Sequence, residues 1–346
     1  MAANKQHILF LVGGDSSERD VSFASGKSMH QALIERGYKV TVADPGRPEI
    51  APCETPDDVF TGTGISSRPP QIQADMFACR KSFMEYMCRF RGMDFDVVFN
   101  ALHGGVGEDG TLQACLDYLG VPYTGCGALA SALAMNKNLS KILVEAAGVP
   151  IIPGLYFETK TLQDPEICNR ISDEIGFPLV VKPNCQGSSV GVSIVNGPAD
   201  LPAALSRAAV HDRAVIVERF IDGSEITASI LGEEVLPLIE IRPKQGFYDY
   251  HNKYTSGASE YLVPAPIDPR ATEAIQSAAR RAYRTLGCTV YARVDFRLSK
   301  AGEHYYLEVN TLPGMTANSL VPKAAAVAGI DFAELVERII KLSIED

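Results

Sequence analysis

Tyr291-Ala-Arg-Val-Asp-Phe296 and, a hairpin's length later, Tyr306-Leu-Glu-Val-Asn-Thr311 decide how this chain is read. Aromatic and β-branched residues alternate with polar ones in both, the signature of strands with one face turned to a core. A period of two puts Arg293 and Asp295 on one face of the first strand, and Glu308 and Asn310 on one face of the second. Ser299-Lys-Ala-Gly-Glu303 can turn the chain back between them, so the polar groups converge. Two carboxylates and an amide oxygen form a hard-oxygen set suited to Mg²⁺, an ion that keeps waters and takes nucleotide phosphates. Taken alone, Arg-x-Asp or Glu-x-Asn marks only an exposed polar strand face. The segments around the hairpin raise the chemical reading above that one.

Upstream, Leu179–Lys182 and Val192–Val195 read as strands flanking Gln186-Gly-Ser-Ser-Val-Gly191. The loop by itself is a hairpin turn. With Lys182 before it and the carboxylate hairpin after it, its glycines, N–H groups and the hydroxyls of Ser188 and Ser189 suit a cover for phosphate. Glu218-Arg-Phe-Ile221 and Gly223-Ser-Glu225 join two strands. That junction is either a plain surface connection or exposed backbone for a flat base, with a carboxylate for sugar hydroxyls.

Phe247-Tyr-Asp-Tyr-His-Asn-Lys-Tyr254 is aromatic without a clean period and has Gly246 and Gly257 on either side. It reads as a lid bringing Lys253 and Tyr254 over a site, with a packed Ω-loop as the structural alternative. Asn310-Thr-Leu-Pro-Gly-Met-Thr316 leaves the second polar strand directly. Its Pro-Gly turn can aim the Gly314 N–H at a developing oxyanion. Ser319 and Leu320, at a helix start, can hold a carboxylate. His103 closes a strand in a glycine-rich segment and is given a binding role.

Two other motifs fail. Ser25-Gly-Lys-Ser28 ends like a phosphate-binding P-loop, but Val21 stands where the first glycine is required. Gly125-Cys-Gly-Ala-Leu-Ala130 lacks the acidic strand end that a dinucleotide fold needs downstream.

The rest of the chain frames these segments. Ile8–Val12, Tyr38–Ala43 and Phe95–Asn100 are expected strands of an α/β unit, with a helix over Val21–Leu33. The stretch 45–70 is an irregular insertion with no assignable function. A helical run from Ala128 through Ala147 is closed by Gly148 and Pro150. Strands follow at Val215–Phe220, Glu225–Leu231 and Val235–Ile241, then helices near 269–286 and 331–343. A chain of 346 residues suits two or three domains. The divisions expected are 1–128, 129–217 and 218–346.

A net charge of −10 argues against nucleic acid as the main partner. No apolar stretch is long enough to span a membrane and none resembles a signal peptide. Eight scattered cysteines without a Cys-x-x-Cys pair argue against a zinc ribbon and point to a reducing cytoplasm.

Assembled in order, Gly13-Gly-Asp-Ser-Ser-Glu-Arg-Asp-Val-Ser22, Ala101-Leu-His-Gly104, Gly107-Glu-Asp-Gly-Thr-Leu-Gln113, Gly187-Ser-Ser-Val-Gly191, Phe247-Tyr-Asp-Tyr250 with Lys253-Tyr254, and Glu308-Val-Asn-Thr-Leu-Pro-Gly-Met-Thr316 cover nearly the whole chain. The chain so resembles the D-alanine–D-alanine ligases of the ATP-grasp superfamily. The resemblance implies an α/β (α+β) ATP-grasp fold, with an N-terminal α/β domain, a central domain and a C-terminal domain, and ATP between the last two. It also implies a homodimer and two Mg²⁺ ions, with Mn²⁺ able to substitute.

By motif, Lys137 and Lys182 resemble the nucleotide lysines, and Ser189 belongs to the phosphate loop. Glu218, Arg219 and Ile221 resemble the adenine hinge, and Glu225 the ribose contact. Asp295, Glu308 and Asn310 match the metal ligands. Glu18 is similar to the residue for the first D-alanine's ammonium and, with Ser188 and Tyr254, orders the closed lid. Arg293 and Gly314 match the transition-state stabilisers; Lys253, Ser319 and Leu320 resemble the pocket for the second carboxylate. One departure stands out: the family usually has Asp where this chain has Asn136, which removes a charge beside a nucleotide contact.

The competing readings are a ligase taking D-lactate or D-serine second, and a nucleotide-binding regulator without turnover. Ester-forming relatives lack the lid tyrosine, so Tyr254 argues against D-lactate. D-Serine stays open.

Overall fold

The structure, a computed structural model, describes residues 5–47, 49–54, 59–60, 83–90, 92–244 and 257–345. Most of the 45–70 insertion and all of the expected lid, Lys253 and Tyr254 included, lie outside the described residues.

Strands β1 (His7–Leu11), β2 (Lys39–Ala43) and β3 (Val97–Asn100) form a parallel sheet in the order β2-β1-β3. Ile8, Leu9, Phe10 and Leu11 are all fully buried, because a parallel sheet is covered on both faces. Leu9 and Leu11 meet Phe83, Tyr86 and, from helix α2 (Thr111–Leu119), Leu112 and Leu116. Ile8 and Phe10 share a core with Met29 and Leu33 of α1 (Arg19–Glu35).

The turn after β1 requires glycine: Gly13 has φ +83°, and a Cβ there would lie 2.5 Å from Asp44 Oδ1. Asp44, fully buried, accepts from Gly14 N (3.0 Å), Gly46 N (2.9 Å), Arg47 Nε (2.7 Å) and Arg19 Nη1 (3.0 Å). This knot fixes the entry to α1, and with it Glu18.

The helical run expected from Ala128 through Ala147 is two helices, α3 (Ala128–Met135) and α4 (Lys137–Ala146). Alanine-rich sequence hides the break, which lies in one side chain. Asn136 leaves helical geometry (φ −86°, ψ 93°) and its Oδ1 accepts from Leu139 N at 3.1 Å. Asn caps a helix about as well as Asp, so the departure at this position preserves the cap. Asn184 receives the new helix, accepting from Lys137 N at 3.2 Å and from Asn138 N at 2.9 Å.

An antiparallel sheet follows in the order β4-β7-β5-β6, from β4 (Gly154–Glu158), β5 (Leu179–Pro183), β6 (Ser193–Val195) and β7 (Ala214–Arg219). Helices α5 (Glu166–Glu174) and α6 (Leu201–Ala209) close a core of its own with Leu179, Val181, Val215 and Val217. Strand β7 runs across the 217/218 division.

The third sheet has the order β11-β10-β8-β12-β13, with β9 against β8. It comprises β8 (Gly223–Leu231), β9 (Glu234–Val235), β10 (Ile239–Pro243), β11 (Ser259–Leu262), β12 (Tyr291–Ser299) and β13 (His304–Asn310). The single strand expected over Val235–Ile241 is split into β9 and β10, since Pro237 has no N–H to give a ladder. Gly223 at the start of β8 is confined to glycine by its neighbour, because a Cβ would sit 1.9 Å from Leu298 O.

Helix α7 (Pro269–Thr285), capped by Asp268 and opened by proline, packs Ile275, Ala278 and Ala282 on this sheet. Ala130, Ala134 and Val144 of α3 and α4 join that same core. Helices α8 (Leu320–Val327) and α9 (Phe332–Glu345) return to the first sheet, where Leu335, Val336, Ile339 and Ile340 share a core with Ile8 and Phe10. Among the described residues, no helix is long and apolar enough to cross a membrane.

Candidate active site

The hairpin that opened the sequence reading forms as expected. Asp295 lies opposite Glu308 and Arg293 opposite Asn310, with a bulge immediately after Asp295. The polar face borders a cavity of about 550 Å³ at the junction of the three sheets. Arg293, Glu308, Asn310, Gly314, Ser319 and Leu320 line one side, and Glu18, His103, Lys137, Gly187 and Ser188 the other.

Each wall is held by named contacts. Ser188 and Ser189 take left-handed backbone conformations (φ 50° and 58°), uncommon for side-chain-bearing residues and frequent at ligand clamps. The turn carries Ser188 Oγ to Glu18, to which it donates a short hydrogen bond across 170 positions of sequence. Lys137 Nζ donates to Gln186 O at 2.7 Å and pairs with Glu308 Oε2 at 3.0 Å. Burial works against the Lys137 charge, but Glu308 outweighs it and raises the pKa.

Arg293 forks onto Asp295 (Nε to Oδ1 2.9 Å, Nη2 to Oδ2 2.8 Å), and Thr227 Oγ1 donates to Asp295 Oδ1 at 2.6 Å. Asn310 Oδ1 accepts from Leu312 N at 3.1 Å, shaping the turn that presents Gly314. Ser319 precedes α8, where its Oγ accepts from Thr316 N at 3.0 Å.

His103 is buried, and its Nε2 has no hydrogen-bond partner among the described residues. Burial lowers its pKa while Glu18 pulls the other way, which leaves a neutral ring beside the cavity.

Of the expected nucleotide residues, Lys137 lines the cavity, and Lys182, Glu218, Arg219, Ile221 and Glu225 form a second group outside its lining. Lys182 Nζ pairs with Glu218 Oε2 at 2.7 Å. Arg219 is exposed, Ile221 O accepts from Arg297 Nε at 2.9 Å, and Glu225 stands opposite Arg297 and Ile241 along β8. Glu218 is buried, and both its carboxylate oxygens face ammonium groups, Oε1 that of Lys141 and Oε2 that of Lys182.

Of the three expected metal ligands, Glu308 and Asn310 face the cavity and Asp295 lies behind them under Arg293. Hard oxygen donors on opposed strands, each carboxylate with a cation at hand, fit a divalent ion bound together with phosphate.

Two residues escaped the sequence reading. Glu108 lines the cavity, and its pKa is pushed up to about 8, first by burial and then by Glu18, against the hydrogen bond it accepts from Gly104 N at 3.0 Å. It lies within a quoted motif but was given no role. Lys141, one helical turn beyond Lys137, reaches Glu218 Oε1 at 2.7 Å. The i,i+4 spacing was the available signal.

Two antiparallel sheets, a serine-glycine turn between strands, and lysines and carboxylates converging from both define an ATP-grasp enzyme. The family models for the N-terminus and the C-terminus of D-ala D-ala ligase match residues 7–126 and 143–341. The chain is 40% identical to a D-alanine–D-alanine ligase of Pelotomaculum thermopropionicum, covering 97% of this chain and 96% of that one.

It is similar, at TM-score 0.75 and 33% identity, to the Bacillus anthracis D-alanine–D-alanine ligase complexed with ATP, covering 99% and 98% of the two chains. The VanG D-Ala:D-Ser ligase of Enterococcus faecalis matches at TM-score 0.76 and 29% identity, over 98% and 99%. The chain belongs to the D-alanine–D-alanine ligase family.

Proposed function

We propose that this enzyme joins two D-alanines at the expense of ATP, releasing ADP and phosphate, and so supplies D-alanyl-D-alanine for peptidoglycan precursors. The observation that carries the reading is the pairing, across one cavity, of the Glu18–Ser188 contact with the wall of Arg293, Glu308, Gly314 and Ser319. The working parts follow the 1–128, 129–217 and 218–346 division, with nucleotide between the second and third.

A carboxylate is a poor electrophile. The γ-phosphoryl group of ATP therefore passes to a carboxylate oxygen of the first D-alanine, and ADP leaves. Glu18 holds that substrate's ammonium, with His103 nearby. Lys137, Lys182 and the Ser189 turn hold phosphate oxygens. The adenine rests against Glu218, Arg219 and Ile221, and Glu225 accepts from the ribose. Asp295, Glu308 and Asn310 would hold Mg²⁺, two ions in all and replaceable by Mn²⁺, which when bound neutralises charge on the phosphates.

The second D-alanine, its carboxylate held by Lys253, Ser319 and Leu320, attacks the acyl carbon through its amine. Arg293 and the Gly314 N–H stabilise the resulting oxyanion. Its collapse expels phosphate, and the nitrogen loses a proton to give the amide. Closure by the Tyr254 segment over Ser188 and Glu18 keeps water from the acyl phosphate.

ADP release from Mg·ATP is expected with D-alanine and not with L-alanine, the product being the D,D-dipeptide by mass. A mixed product when D-serine or D-lactate is added would move the assignment to a variant ligase. ATP binding without any D-alanine-dependent ADP would replace the reading with that of a nucleotide-binding regulator.

Use of ATP supports a cytoplasmic location, which we propose for this enzyme. We also propose a homodimer, supported by exposed apolar side chains on neighbouring helices: Tyr118 of α2 is 91% exposed and Leu129 of α3 is 73% exposed. Light scattering should give twice the chain mass; a monomer at assay concentration would remove the dimer.

A further inference from the structure

Three charges meet where α4, β5 and β7 come together. The side chains of Lys141, Glu218 and Lys182 are 6%, 3% and 11% exposed. Lys141 Nζ stands 2.7 Å from Glu218 Oε1, and Lys182 Nζ 2.7 Å from Glu218 Oε2. One buried carboxylate thus carries two ammonium groups, one more than charge balance needs.

The two lysines are not equivalent. Lys141 is tethered on the inner side: its Nζ also donates to Tyr306 O at 3.1 Å and lies 5.8 Å from the centre of the Tyr306 ring. Tyr306 is itself fully buried in the core under the third sheet. Lys182 lies near the end of β5, and among the described residues its ammonium group pairs with Glu218. A lysine so placed can swing to a phosphate only if the carboxylate it leaves keeps another cation, since an unpaired buried charge is strongly unfavourable.

On the reading that Lys182 serves nucleotide phosphate, we propose that Lys141 is a positioning residue, the resident counter-ion of Glu218 that releases Lys182 to the nucleotide. Without Lys141, Lys182 becomes the only cation on Glu218 and is held back from the ligand. The local electrostatics agree with a surplus of positive charge. Burial opposes ionisation of Glu218, but the two lysines overcome it and bring the carboxyl down to about 2. Lys141 is brought down to about 8, chiefly by burial, with Lys182 repelling it and Glu218 pulling the other way.

The test is a double-mutant cycle read by calorimetric titration with Mg·ATP in the absence of D-alanine, so it does not depend on turnover. Lys141→Met is expected to weaken ATP binding roughly tenfold, a size typical of coupled buried neighbours. Adding Glu218→Gln removes the charge that traps Lys182. The double variant should then bind ATP as well as Glu218→Gln alone. Lys141→Arg, which keeps the charge, should bind within about twofold of the parent on the same scale.

In steady state, Lys141→Met should raise KM for ATP and leave KM for D-alanine unchanged. Losses that simply multiply in the double variant would overturn the proposal, as would unaltered ATP affinity in Lys141→Met. Should Lys141→Met not fold, Lys141→Gln compared with Lys141→Arg, once with Glu218 and once with Glu218→Gln, carries the same decision: a loss of ATP binding only where Glu218 is present supports the proposal, and equal binding in both backgrounds overturns it. If the parent binds ATP but never turns over, the ligase reading fails while this cycle can still be scored.

Discussion

Arg293→Met is expected to lower kcat by about 10²–10³-fold, the usual effect of removing one donor to a tetrahedral oxyanion. The guanidinium lies on the cavity wall beside the Pro-Gly turn that presents Gly314, and its fork onto Asp295 holds it in one orientation. Lysine restores the charge but not the planar two-pronged geometry, so Arg293→Lys should recover only part of the loss.

The variant also strips Asp295 of its ion pair, leaving Thr227, among the described residues, as its side-chain hydrogen-bond donor. Thermal unfolding therefore has to accompany the kinetics, to separate a slower enzyme from a smaller folded fraction. Isotope scrambling within ATP, measured with the first D-alanine alone, isolates the phosphoryl step and should persist. A kcat within threefold of the parent, in folded protein, would take Arg293 out of the chemistry.

The second large effect is expected at Glu308. Glu308→Gln removes half of an opposed carboxylate pair and also the partner of Lys137. Replacing a residue that only orients a metal ligand commonly costs about 10–100-fold in metal affinity or activity. Loss of a ligand itself should reach the top of that range or pass it. The Mg²⁺ concentration for half-maximal rate should rise, and turnover at saturating Mg²⁺ should still fall.

Lys137 sharpens the test, because its charge is upheld by Glu308 against burial. If neutralising Lys137 were the carboxylate's whole purpose, Lys137→Met in the Glu308→Gln background would restore the Mg²⁺ requirement of the parent. Restoration, or turnover near that of the parent in the single variant, would end the metal assignment.

What was legible in the sequence followed short-range periodicity. β12 and β13 were readable because alternation is enforced by a one-sided core, and their register then places four polar residues together. The apolar run of β1 and the capped helix α7 were readable for similar reasons. The interruption at Asn136 was not, since Ala128–Ala147 scores as helix at nearly every position and the break is one side chain bonding to Leu139 N.

Nor could spacing reveal that Asp295 lies under Arg293 while Glu308 faces the cavity. That difference is set by Thr227 on the neighbouring strand, 68 positions away. Lys141 went unassigned because its partner Glu218 is brought to it by the packing of separate elements. The lid residues Lys253 and Tyr254 rest on the family resemblance alone.

The core shared by β1 and α9 has a consequence for how the chain is built. Ile8 and Phe10 are sealed together with Leu335, Val336, Ile339 and Ile340, and Lys5 pairs with Glu337 across 332 positions of sequence. During synthesis, the first sheet emerges early with α1 over part of its Ile8 and Phe10 face, yet the rest of that face is not sealed until α9 leaves the ribosome. Domains commonly fold as units from the N-terminus onward, but this one must wait. Its oily face is a liability for the whole of translation, and a truncated product lacking α9 would be a substrate for chaperones and proteases rather than a smaller enzyme.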